Sequence, residues 1–217
     1  GNAPELMRPG QEAQFEIGAK FLFGGSGAGL KWEMSYSTVP EAYKSKAFPG
    51  YVFGSEMAKD AGRSSGSIDE GVLDGDGAAT VTWTPEPDLK APSIIRAHVR
   101  LSVMEANGRW TGRTVAVPIY PTEALIGVMK PQDSVRPNVE TSVGLVALNP
   151  QDKKVNLGDV NVIVSLVQSR YVMVNDGSGS RMTWQEEISE QSRQKIKLNG
   201  TAQYAFKPKD EGEYLLT

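Results

Sequence analysis

The 217 residues carry 23 basic and 26 acidic side chains, one histidine and no cysteine, and 39% are hydrophobic. The mixed, slightly acidic charge lacks the basic field that binding a phosphate backbone needs, and no run of ~18 apolar residues is present to form a membrane-spanning helix. Without Cys, disulfides, thioesters, Cys-ligated zinc and cysteine nucleophiles are excluded from these residues; with His98 alone, so are His-based triads and multi-His metal sites. The N-terminal Gly1-Asn2-Ala3-Pro4-Glu5-Leu6 has no cationic region followed by an apolar stretch, so a signal peptide is expected to be absent or already removed.

Taken in chain order, the predicted elements are strands. Phe15, Ile17, Ala19, Phe21 and Phe23 alternate with Gln14, Glu16 and Lys20, which predicts a half-buried first strand. The glycine-rich stretch from Gly24 to Gly29 follows. A phosphate cradle would need a helix next, but Leu30-Lys31-Trp32-Glu33-Met34-Ser35-Tyr36 reads as another strand, so a hairpin turn is expected. Residues 54–71 are small, polar and glycine-rich and read as a long exposed loop, in which Lys59 and Arg63 would be protease-sensitive.

Asp74-Gly75-Asp76-Gly77 resembles the start of a calcium loop, yet Pro85 stands where a bidentate Glu is required, so a turn is expected. Ile95, Ala97, Val99, Leu101 and Val103 form the next apolar face. Opposite them Arg96, His98 and Arg100 make a small cationic stripe, a candidate face for an acidic partner or a neighbouring domain. Val160, Val162, Val164 and Leu166 form a third apolar face, and Ala202, Tyr204 and Phe206 a fourth. Between those two, residues 182–195 have helix-forming composition without helical spacing and read as a strand edge plus loop, with a short helix as the alternative.

The chain also repeats itself. Asp76-Gly77 opens an alternating strand with Trp83 and then Pro85; Asn199-Gly200 opens another with Phe206 and then Pro208. Arg8-Pro9-Gly10 before Phe15, Ile17 and Ala19 matches Arg136-Pro137-Asn138 before Val143, Leu145 and Ala147. Gly after Asp or Asn supports a turn with φ > 0, and Pro ends a strand because it cannot donate to a ladder. The reading is all-β: two tandem antiparallel β-sandwich domains, 1–121 and 122–217, divided near Pro118-Ile119-Tyr120-Pro121-Thr122. The halves carry similar charge, 12 basic against 14 acidic and 11 against 12, as siblings would.

The stretch from Ala19 to Leu30 resembles the Tyr-Leu-Tyr-Gly-x-Pro-Ala-Ala-x-Leu segment of one macroglobulin-like domain in bacterial α2-macroglobulins. Phe48-Pro49-Gly50-Tyr51-Val52-Phe53-Gly54 is similar to the aromatic segment that follows it. Leu125-Ile126-Gly127-Val128, Val167-Gln168-Ser169-Arg170-Tyr171 and Gly212-Glu213-Tyr214-Leu215 are similar to the next domain of that family.

The resemblance implies two consecutive immunoglobulin-like or fibronectin-like modules of a much longer chain, a broad-spectrum endopeptidase inhibitor. That chain would be periplasmic and anchored to the inner membrane as a lipoprotein. In such proteins a protease cuts a bait segment and is then trapped, and in many members a Cys-Gly-Glu-Gln thioester acylates it. The bait is expected beyond the second domain, and the thioester is expected outside these residues or absent from this branch of the family. The implied partners are proteases and neighbouring macroglobulin domains, with no nucleic acid. No catalytic residue, cofactor or metal is expected, and no enzyme activity, since no nucleophile, base and orienting group come together in the sequence. The rival readings are a tandem immunoglobulin-like spacer of a bacterial surface or adhesion protein and a carbohydrate-binding pair.

Overall fold

The computed structural model describes residues 4–55, 60–91, 93–131, 134–175 and 179–217. The described residues contain thirteen strands and no helix. The chain divides into two compact units, Gly1–Leu125 and Ile126–Thr217.

The first unit contains β1 (Ala13–Gly18), β2 (Lys31–Glu41), β3 (Tyr51–Phe53), β4 (Ser64–Val72), β5 (Ala78–Trp83), β6 (Ile94–Met104) and β7 (Trp110–Ile119). One sheet has the order β4-β2-β6-β7, and β1 pairs with β5 in a second. The register sets Phe15 opposite Val81 on one sheet and Met34 opposite Leu101 on the other. Side chains alternate between the two faces of a strand, so this register aims Phe15, Ile17 and Val81 inward to meet Met34, Ala97, Val99 and Val117 in one buried core. Beside it, Tyr43 meets buried Phe53 edge to face, with ring centres 5.3 Å apart.

Two expectations for this unit need correction. β1 ends at Gly18, so Phe21 and Phe23 do not continue its buried face; both are exposed in the turn that follows. Residues 54–71 are not loop throughout, because β4 occupies Ser64–Val72. Its serine and glycine content disguises a strand whose inner positions are small to receive large rings. A Cβ on Gly66 would sit 3.2 Å from the Tyr36 ring, and one on Gly71 would sit 2.9 Å from the Trp32 indole.

The second unit contains β8 (Leu125–Met129), β9 (Thr141–Leu148), β10 (Asn156–Asn175), β11 (Ser180–Asn199), β12 (Thr201–Phe206) and β13 (Glu213–Leu216), in the order β13-β10-β11-β12-β9-β8. β11 and β12 share only the pair Asn199 and Thr201, so the order breaks there into two layers, β13-β10-β11 and β12-β9-β8. Val143, Leu145, Ala147, Val162, Val164, Leu198 and Tyr204 form the buried core. Residues 182–195 lie wholly within β11, which runs unbroken for 20 residues with register shifts opposite Asn156/Gly158 and Val164/Ser165; this corrects the reading of a strand edge plus loop.

Candidate interaction surfaces

The glycine-rich stretch of the first unit is a turn strapped to the turn that opens β5. Phe21 carbonyl accepts from Gly24 N–H at 2.9 Å, and Gly24 takes φ 90°. Ala19 N–H donates to Gly77 carbonyl at 2.9 Å, and Gly29 N–H to Leu73 carbonyl at 3.0 Å. The N–H groups of Gly24, Gly27 and Gly29 are therefore spent on the chain itself, and β2 rather than a helix follows. At the second turn, Asp74 Oδ1 accepts from Asp76 and Ala78 N–H, each at 2.9 Å, which closes the turn.

Arg96, His98 and Arg100 lie at alternate positions on the outer face of β6. They are not equivalent. Arg96 chelates Glu41, with Nε to Oε2 at 2.7 Å and Nη2 to Oε1 at 3.0 Å, diagonally across β2 and β6, where Arg96 lies opposite Val39. That hydrogen bond is the chief reason the Glu41 carboxyl is held below the usual carboxylate range and the Arg96 guanidinium is raised above its own. Arg100 Nε donates to Ser102 Oγ at 3.3 Å. His98 is exposed between Ser37 and Ala116. The charge that this face can offer an acidic partner is therefore carried by Arg100 more than by Arg96.

Arg63 sits in a closed turn just before β4. Its Nε donates to Asp60 Oδ1 at 2.8 Å, its own N–H to Asp60 carbonyl at 3.1 Å, and Gly62 takes φ 84°. Thr38 Oγ1 donates to Gly62 carbonyl at 2.7 Å and fastens the turn to β2. Lys59 lies outside the described residues.

Two further surfaces were not anticipated. An open groove of about 1050 Å³ runs between the edges of β1 and β7, floored by Ile17, Leu101, Val103 and Val115 and rimmed by exposed Phe21 and Leu22. In the second unit, Tyr171 and Trp184 stack across β10 and β11 with ring centres 4.1 Å apart, and both are exposed. The alternation Tyr171-Val172-Met173 and Met182-Thr183-Trp184 was the available sequence signal for that pair.

The description "Bacterial Alpha-2-macroglobulin MG5 domain" matches residues 2–121, and "Bacterial macroglobulin domain 6" matches residues 127–217. Among solved structures, a Salmonella alpha-2-macroglobulin reacted with methylamine is similar at TM-score 0.70 and 22% identity, over 99% of this chain and 15% of that one. The native conformation of E. coli alpha-2-macroglobulin is similar at TM-score 0.68 and 19% identity, over 96% and 14%. The same E. coli protein activated by porcine elastase gives 0.69 and 20%, over 96% and 19%. This chain thus spans less than a fifth of each of those chains. No curated protein matches it. Two consecutive domain matches that together cover nearly every residue place the chain in the bacterial alpha-2-macroglobulin family.

Proposed function

We propose that this chain supplies two consecutive, non-catalytic wall domains of a bacterial alpha-2-macroglobulin that traps proteases after they cleave a bait segment. The parent polypeptide would act as a broad-spectrum endopeptidase inhibitor in the periplasm, held at the inner membrane as a lipoprotein. The observation that carries this reading is the uninterrupted succession of an MG5 and an MG6 domain over the chain.

The chemistry of the two units suits a wall. The carboxylates with lowered pKa are each set first by a hydrogen bond to a nearby partner: Glu41 by Arg96, Glu105 by Thr111, Glu190 by Arg193. Such pairs tie strands and turns together at the surface, in contrast to the desolvated groups of a reactive site. Two separate buried cores make each unit a body that can be carried as a block while its surfaces exchange neighbours.

The test uses the parent polypeptide incubated with trypsin or elastase. The protease is then assayed on a small fluorogenic peptide and on a large protein substrate. Retained cleavage of the small substrate with lost cleavage of the large one is expected. Full activity on both would overturn the trap and leave a scaffold.

A further inference from the structure

The β10–β11 ribbon is longer than the second core requires. As far as Leu166, the inward positions Val162, Val164 and Leu166 of β10 are buried. Beyond Val167 the described residues of both strands are exposed as far back as Ile188, except half-buried Val172 and Thr183. Cross-strand partners share a face, and the register pairs Tyr171 with Trp184, Met173 with Met182 and Val167 with Ile188. One face therefore gathers Tyr171 (65% exposed), Met173 (70%), Met182 (58%), Trp184 (59%) and Ile188 (50%), with the pair Ser169–Glu186 set between Tyr171–Trp184 and Val167–Ile188. The opposite face carries the pairs Gln168–Glu187, Arg170–Gln185, Val172–Thr183 and Val174–Arg181, with Arg170 Nη2 3.2 Å from Glu187 Oε2. The extension is thus two-sided, mainly polar on one side and mainly aromatic and methionine-rich on the other. A two-stranded extension in water gains nothing from five large apolar side chains on one face unless something covers them.

We propose that this apolar face docks on a flat apolar surface of another domain of the parent polypeptide. The inference rests on the reading of this chain as part of a longer protein. The chain spans 15% of the Salmonella relative's length, so in that relative most of the available surface belongs to other domains. The five side chains expose on the order of 600 Å² together, so covering them would bury about 1,200 Å² in total, within the range for contacts between domains of one chain. The same area is at the low end for partners meeting from free solution, and the face offers few hydrogen-bonding groups to add to it. Linkage through one polypeptide removes that difficulty by raising the effective concentration to about the millimolar range, which favours a domain in the same chain over a second copy. Methionine and aromatic rings adapt to such a surface, because thioether sulfur packs well on ring edges.

Methionine oxidation reads the proposal directly, at Met173 and Met182 separately. Wild-type parent and the 217-residue chain are each treated with dilute hydrogen peroxide, and sulfoxide formation at each methionine is followed by peptide mass spectrometry. Guanidinium-unfolded protein supplies the free rate. Met7 and Met34 are buried and must stay protected in both samples, which confirms that the first unit is folded. In the 217-residue chain, Met173 and Met182 should oxidise within about twofold of the free rate, and in the native parent at least about tenfold more slowly. In the parent, the double variant Tyr171→Ser, Trp184→Ser should restore fast oxidation of both. Fast oxidation in the wild-type parent would overturn the proposal. So would slow oxidation in the 217-residue chain that speeds up on dilution, which would instead assign the face to a second copy. Neither readout depends on protease capture, so failure here and failure of the trap assay are separable.

Discussion

The two units close their sandwiches with the same backbone seam, yet they surround it differently. In the first, Gly10 N–H donates to Pro85 carbonyl at 2.9 Å with Gly10 at φ 73°; in the second, Asn138 N–H donates to Pro208 carbonyl at 2.8 Å with Asn138 at φ 62°. Gly77 opens β5 at φ 75° and its carbonyl accepts Ala19 N–H at 2.9 Å; Gly200 opens β12 at φ 78° and its carbonyl accepts Ala147 N–H at 2.9 Å. The difference is what lies beyond each glycine. A Cβ on Gly77 would stand 2.6 Å from Gly27 N and 2.7 Å from Ala19 O, whereas one on Gly200 would meet only the Lys154 side chain, 3.2 Å away at its Cβ. The turn chemistry is duplicated, and the packing around it is not. What the glycine-rich turn adds to the first unit is a second backbone pressed against the seam.

The largest expected effect comes from this contrast. Gly77→Ala combines left-handed backbone strain with a clash against backbone atoms that cannot rotate away, and should cost about 3–5 kcal/mol. Gly200→Ala carries the strain with a milder approach, 3.2 Å to Lys154 Cβ, that a shift of a few tenths of an ångström relieves, and should cost about 1–2 kcal/mol. Urea denaturation of each variant, following Trp83 or Trp184 fluorescence, measures both. Equal costs would mean that φ alone governs the seam and that the glycine-rich turn presses on nothing.

The next effect is smaller and tests whether turn-closing side chains are interchangeable. Asp74 Oδ1 accepts two N–H groups ahead of β5, and Asn149 Oδ1 does the same for Gln151 and Lys153 at 3.0 Å each, in the turn after β9. Asp74→Ala should cost about 1–2 kcal/mol and Asn149→Ala about 1 kcal/mol, because an ionised acceptor binds N–H more strongly than an amide. Chemical denaturation at neutral pH separates them; a larger loss for Asn149→Ala would reverse the argument from charge.

The seam was legible in the sequence because it depends on local chemistry. Asp-Gly and Asn-Gly before alternating strands, and Pro after them, announce themselves residue by residue. The alternation of Ile95 to Val103 likewise marks a strand with one wet face. Legibility failed where a neighbour, not the strand itself, sets the side-chain size or polarity. β4 hides its period because Gly66 and Gly71 yield volume to Tyr36 and Trp32, which come from another part of the chain. β11 hides its period because its distal half has no core to face, so Gln185, Glu186 and Glu187 carry no burial signal. Phe21 and Phe23 misled in the opposite sense: their spacing continues that of Phe15 and Ile17, but the chain turns after Gly18. Of the surface residues, Arg96 was legible as a strand-face cation, while its partner Glu41 was not, since 55 residues separate them.

That pair gives the smallest prediction and the one with a pH sign. The Glu41 carboxyl is lowered in the folded state, first by the Arg96 hydrogen bond and then by its charge, against an opposing cost of partial burial. A depressed folded pKa means that the unfolded chain binds the proton more readily. The contribution is therefore fully present above the ordinary glutamate range and is lost as pH falls through the folded value. Both side chains keep substantial contact with water, so screening limits the effect to about 0.5 kcal/mol. Glu41→Gln should leave stability at pH 7 within that margin and flatten the acid limb of the stability–pH curve. The flattening should itself shrink in 1 M salt, where the Debye length falls to about 3 Å. An acid limb that Glu41→Gln leaves unchanged would assign it instead to Glu105 and Glu190, whose carboxyls are lowered in the same direction by Thr111 and Arg193.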